Sequence, residues 1–86
     1  MSESLPAVTG EDLIELLKFD GWEDHGKSTH GRTLKKKIDG RYIVTTVPTK
    51  KGSLPTGTLG AILSVKQTRL GKKGLLNIIK RYKSRS

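Results

Sequence analysis

HGRTLKKKIDGRYIVTTV, residues 30–47, decides the fold. Its two halves flank Asp39-Gly40, a pair suited to the left-handed backbone of a two-residue hairpin turn. The second half, Arg41 to Val47, is rich in β-branched residues and stops at Pro48, which predicts a strand. The first half, a strand near 30–38, alternates. Leu34 and the stems of Arg32 and Lys36 fall on one face, and Thr33, Lys35 and Lys37 on the other.

Immediately upstream, GWEDHGKSTH (21–30) holds Gly21, four residues, then Gly26-Lys27-Ser28, the spacing of a phosphate-binding loop. That spacing has meaning only after a strand and before a helix. Here the preceding EDLIELLKFD places Leu13, Ile14, Leu16 and Leu17 at helical period, and a strand follows. Trp22, Glu23, Asp24 and His25 fill the variable positions. A phosphate cradle needs small residues there, and two carboxylates would repel the anion. No nucleotide cofactor is expected. The segment reads instead as a short extended stretch over 22–25 and a turn over 26–29.

Outward from this hairpin lie three helices. Thr9, followed by Glu11 and Asp12, predicts a capped start for a helix over 10–19, ended by Asp20-Gly21. After strand 41–47, the polar loop VPTKKGSLPTG leads to Thr56, Gly57 and Thr58, any of which can cap a second helix with Leu59, Ile62, Leu63 and Lys66 in its stripe. A third helix over 72–83 repeats the pattern with Leu75, Ile78, Ile79 and Tyr82. The expected architecture is α+β, in the order α-β-β-β-α-α. A three-stranded antiparallel sheet carries its helices on one face and leaves the other to solvent or a ligand. Residues 9–83 form the domain, flanked by tails 1–8 and 84–86.

The chain has 86 residues, no cysteine and a formal net charge of +9. One small domain of this size buries only about 60–65% of its unfolded surface. Disulfides and thiolate metal sites are excluded. No apolar run approaches the roughly 20 residues of a membrane span, and MSESLPAV lacks the basic start of a leader. A soluble cytoplasmic protein without membrane contact is expected. The charge is segregated: seven of eight carboxylates lie in residues 1–24, while residues 25–86 carry sixteen Lys and Arg against Asp39 alone. Such a chain gathers polyanions in a salt-dependent way.

Several features together carry a resemblance: Gly21-Trp22 after a first helix, Thr29-His30 after a basic turn, Val47-Pro48, and Gly57-Thr58-Leu59 leading into Ala61-Ile62-Leu63. Over about residues 9–80 the chain resembles the HicA family of toxins from toxin–antitoxin systems. The spacing from Val47-Pro48 to the Gly-Thr-Leu-x-x-Ile-Leu block is its most specific part. The resemblance implies a fold like a double-stranded-RNA-binding domain and an endoribonuclease that cuts mRNA with a single histidine. It also implies a HicB-like antitoxin as protein partner. Family members read Gly-Ser-His at the active position, which maps onto Ser28-Thr29-His30 and makes His30 the catalytic residue. The glycine is absent, Thr29 replaces serine, and the interval from Gly21 is one residue shorter. Where many members carry a second histidine, two residues after Val-Pro, this chain has Lys50; His25 is then the other imidazole to consider.

The chemistry suits that mapping. Cleaving RNA without a metal requires one group to take the 2′-OH proton and another to protonate the leaving 5′-oxygen. Imidazole suits either role and contributes roughly 10²–10⁴-fold. The charged phosphorane needs fixed cations, for which Lys27, Arg32, Lys36, Lys50 and Lys51 are the candidates. No metal and no cofactor are expected, since the carboxylates cluster away from His30. Trp22 reads as core rather than as a base-stacking platform, and the lysines of the last helix as solvent-facing. A second function fits the same charge and fold: a non-catalytic module that binds double-stranded RNA through phosphate contacts.

Overall fold

The computed structural model describes residues 7–49 and 51–85. Its elements are α1 (Gly10–Phe19), β1 (Glu23–Ser28), β2 (Gly31–Ile38), β3 (Arg41–Val47), α2 (Thr56–Ile62) and α3 (Gly71–Ser84). The sheet is antiparallel in the order β1-β2-β3, with the helices on one face. This is the expected α+β arrangement, α-β-β-β-α-α.

The β2–β3 hairpin forms as its alternation dictates. Leu34 pairs with Thr45 and Arg32 with Val47, and Leu34, Thr45 and Val47 are all buried beneath the helices. Asp39 and Gly40 both take positive φ, 51° and 79°, which matches the natural twist of a two-residue hairpin. Leu13 and Leu17 of α1, Leu59 and Ile62 of α2, and Leu75 and Ile78 of α3 complete the core with Trp22. The cap on α1 is reciprocal. The Thr9 hydroxyl accepts the Asp12 N–H at 3.0 Å, and the Asp12 carboxylate accepts the Thr9 N–H.

Five boundaries depart from the sequence reading. The first strand does not stop at 25 but runs to Ser28. Gly26 takes φ 97° and donates its N–H to Asp24 Oδ1 at 2.8 Å, so His25 and Gly26 form a bulge opposite Thr33 rather than a turn. The chain reverses at Thr29-His30, which puts His30 in the turn and starts β2 at Gly31. None of Thr56, Gly57 and Thr58 caps α2; the helix starts at Thr56 behind Pro55 with no side-chain cap, and Lys66 lies beyond it in an exposed turn. Val8 belongs to the domain, since it is buried and its carbonyl accepts the Leu54 N–H at 2.7 Å. At the other end α3 continues to Ser84, where Arg85 stacks on the Tyr82 ring.

The turn after α2 is tied down by polar groups. Thr68, buried, donates to the Ile62 carbonyl at 2.7 Å, and Thr45 on β3 donates to Gln67 at 2.6 Å. Two glycines then close the molecule around the end of β3. A Cβ on Gly10 would strike the Pro48 carbonyl, and one on Gly31 the Val47 carbonyl. The start of α1 and the start of β2 thus press on Val47-Pro48 from different sides, which brings the β3–α2 loop beside the β1–β2 turn.

Candidate RNA-cleavage groove

Between that turn and that loop lies an open groove of about 730 Å³. Thr29 and His30 line one wall, with Lys27 and Ser28 at the end of β1; Thr49, Lys51, Ser53 and Thr58 stand across from them. Among the described residues, no carboxylate lines it.

His30 is exposed, and it makes no hydrogen bond or ion pair with another described residue. The turn that carries it is closed by the Ser28 hydroxyl donating to the Gly31 carbonyl at 3.2 Å. Gly31 itself, at φ 142° and packed on Val47, holds the base of that turn. Lys27 reaches the groove because of the bulge. The extra residue shifts the strand's phase, so Lys27 pairs with Arg32 and turns toward the helix side. Lys27 and Lys51 have no ionic partner among the described residues. Thr49 and Ser53 were not singled out from the sequence, and Thr58 was named there as a helix cap and motif residue rather than as a wall of the site. The polarity of the loop between Pro48 and α2 was the signal that could have found Thr49 and Ser53.

Other sequence-predicted groups lie elsewhere. Arg32 bonds Asp24 through Nε at 2.6 Å, and the guanidinium, followed by the Gly26 N–H, holds the Asp24 carboxyl below the usual carboxylate range. Lys36 donates to the Asp20 carbonyl at 2.7 Å and to the Asp20 carboxylate at 3.2 Å. Both are therefore structural cations on the helix side of β2, outside the groove, rather than free cations beside His30. Lys50 lies outside the described residues. His25 is absent from the groove, and its Nε2 sits 3.7 Å from Glu23 Oε1. Trp22 is buried, so it offers no surface to a base. Arg81 on α3 bonds Asp20 and Asn77.

No family model matches the chain, and no curated protein or solved structure matches it either. The resemblance drawn from its motifs therefore rests on those residues alone. The phosphate-loop spacing loses its context: Gly26, Lys27 and Ser28 sit within β1, with a helix before them and a strand after. Among the described residues, no group of three or more His, Asp and Glu is placed to hold a metal ion, and no helix is long and apolar enough to cross a membrane.

Proposed function

We propose that the chain is a metal-independent endoribonuclease toxin of the HicA type. It would cleave mRNA through His30 in the cytoplasm and be restrained by a HicB-like antitoxin. One observation carries the reading: an exposed imidazole without a described partner faces a groove that holds Lys27 and Lys51 and, among the described residues, no carboxylate.

In this reading the RNA backbone enters the groove with a phosphate between the two lysines. His30 takes the proton from the 2′-OH or gives one to the departing 5′-oxygen, and solvent water carries the other of these two transfers. The 2′-oxygen attacks phosphorus as the bond to the 5′-oxygen breaks, leaving a 2′,3′-cyclic phosphate and a free 5′-hydroxyl. Lys27 and Lys51 stabilise the charge that develops on the phosphorane. A DNA strand lacks the attacking hydroxyl and is not cut.

The test is incubation of purified protein with labelled RNA in excess EDTA. Cleavage by the wild type, lost in His30→Ala, supports the enzyme. Intact RNA bound equally by both proteins supports instead the non-catalytic double-stranded-RNA module, which the sheet-and-helix layout also suits. In cells, induced expression is expected to arrest growth unless the antitoxin is co-expressed, and harmless expression at high dose overturns the toxin role.

A further inference from the structure

The sheet has a second face, turned away from the helices and from the proposed chemistry. There the register aligns Tyr42 with Lys37, Val44 with Lys35 and Thr46 with Thr33. Glu23 stands opposite Lys35 on the outer strand β1, and His25 is beside it. Tyr42 is 64% exposed and Val44 46%, the exposed large hydrophobic side chains of the sheet. The Tyr42 hydroxyl makes no hydrogen bond with a described residue. Lys35 and Lys37 are likewise without a described ionic partner, unlike Lys36 between them. A shallow hollow of about 310 Å³ lies beside the ring, lined by Tyr42, Lys35, Lys37 and Glu23 among others.

We propose that this outer face binds single-stranded RNA, with Tyr42 stacking one unpaired base and Lys35 and Lys37 holding the adjacent phosphates. The argument is one of shape and charge. An aromatic ring lying open on a sheet offers a π-face to any base, but only to a base free of its duplex. Cations at the directly opposed position and the diagonal one are the neighbours a cross-strand register places within reach of that ring. The chain as a whole, at +9, draws a polyanion to either face. From Tyr42 to Val47 the strand covers about 17 Å, so an RNA lying along β3 leads toward the end of the sheet where His30 stands. The outer face would thus select unpaired stretches and feed them to the groove. In that respect the inference rests on the ribonuclease reading, but binding itself does not require cleavage.

The experiment uses the full chain carrying His30→Ala, so that RNA survives, and follows the anisotropy of a labelled oligouridylate and of a labelled RNA duplex. Adding Tyr42→Ala is expected to weaken oligouridylate binding by about 5- to 150-fold, the worth of one stacked base. Tyr42→Phe, which keeps the ring, is expected to bind like its parent. Duplex affinity changes little in either. Lys35→Gln with Lys37→Gln is expected to lower the slope of log affinity against log salt by about 1.4, which tests the face even where Tyr42→Ala fails to fold. Unchanged oligouridylate binding in both the tyrosine and the lysine variants overturns the proposal, as does equal loss for the duplex. So does loss of self-association or of protein binding with RNA affinity intact, since the face would then be a protein contact. A wild type that cuts no RNA but shows tyrosine-dependent binding refutes the ribonuclease reading and leaves this one standing. Cleavage by the wild type with indifference to Tyr42 does the reverse.

Discussion

Gly31 is the residue on which the placement of His30 most directly depends, and replacing it with alanine tests the geometry. Two costs meet there. The φ of 142° is one that side chains other than glycine rarely adopt, a strain of about 1–3 kcal/mol. The added Cβ would also strike the Val47 carbonyl, and forcing an atom into packed backbone costs about 1–3 kcal/mol more. Reduced freedom of the unfolded chain offsets about 0.4–1 kcal/mol. The net loss is about 2–5 kcal/mol, against a total stability of about 4–13 kcal/mol for a chain of 86 residues. Urea titration followed by the fluorescence of Trp22, the lone and buried tryptophan, is the assay. With a slope of about 1 kcal/mol per M, the midpoint falls by about 2–5 M. Two controls separate the costs. Gly26→Ala carries positive φ but meets nothing nearby, so it costs only about 1 kcal/mol; Gly10→Ala carries the collision with Pro48 without that strain. A Gly31→Ala midpoint no lower than that of Gly26→Ala refutes the reasoning. It would mean that the β3–α2 loop slides aside and that contact at Val47 does not position the groove.

Three further outcomes are expected. Asp20, whose side chain is 12% exposed, gathers Lys36 and Arg81 onto the end of α1, so Asp20→Ala is expected to cost about 1–3 kcal/mol in the same titration; a change below about 0.5 kcal/mol would show that the cluster is solvated. Asp24, held below its ordinary value of 3.8 by Arg32, contributes stability above that value and loses it as pH falls through its lowered folded pKa. The gap between the midpoints of wild type and Asp24→Asn is therefore expected to stay constant from about pH 7 to about pH 5 and to shrink below about pH 4; a gap that grows on acidification contradicts the pairing. Finally, Lys27→Gln and Lys51→Gln are each expected to lower RNA cleavage and to reduce the salt slope of binding by about 0.7 without loss of fold. Arg32→Gln should instead lower stability and leave the slope alone, and the opposite assignment would return Arg32 to the RNA.

Local chemistry made much of the fold legible in the residues themselves. The β2–β3 hairpin follows from alternation about Leu34 and from Asp39-Gly40, α1 from the Thr9 cap and its leucine period, and α3 from Leu75 and Ile78. Each is a contest settled within a few residues, between backbone conformations that nearby side chains favour or forbid. His30 was singled out on other grounds, the resemblance carried by its neighbours in the chain, and the fold adds that it is exposed on a turn beside the groove. What the groove contains was another matter. Gly26 reads as part of a turn, and a bulge forms instead because β2 offers the whole of β1 a partner strand, which sends Lys27 toward the groove and moves His30 into the turn. Lys36 and Arg32 looked like free cations until Asp20 and Asp24 met them, the first from sixteen residues away and the second from eight. Only packing brings Gly10 and Gly31 against Val47-Pro48 and so sets the loop of Lys51 opposite His30. The strand and helix preferences act along the chain, whereas charge pairing and steric contact act through space, and a sequence orders only the first.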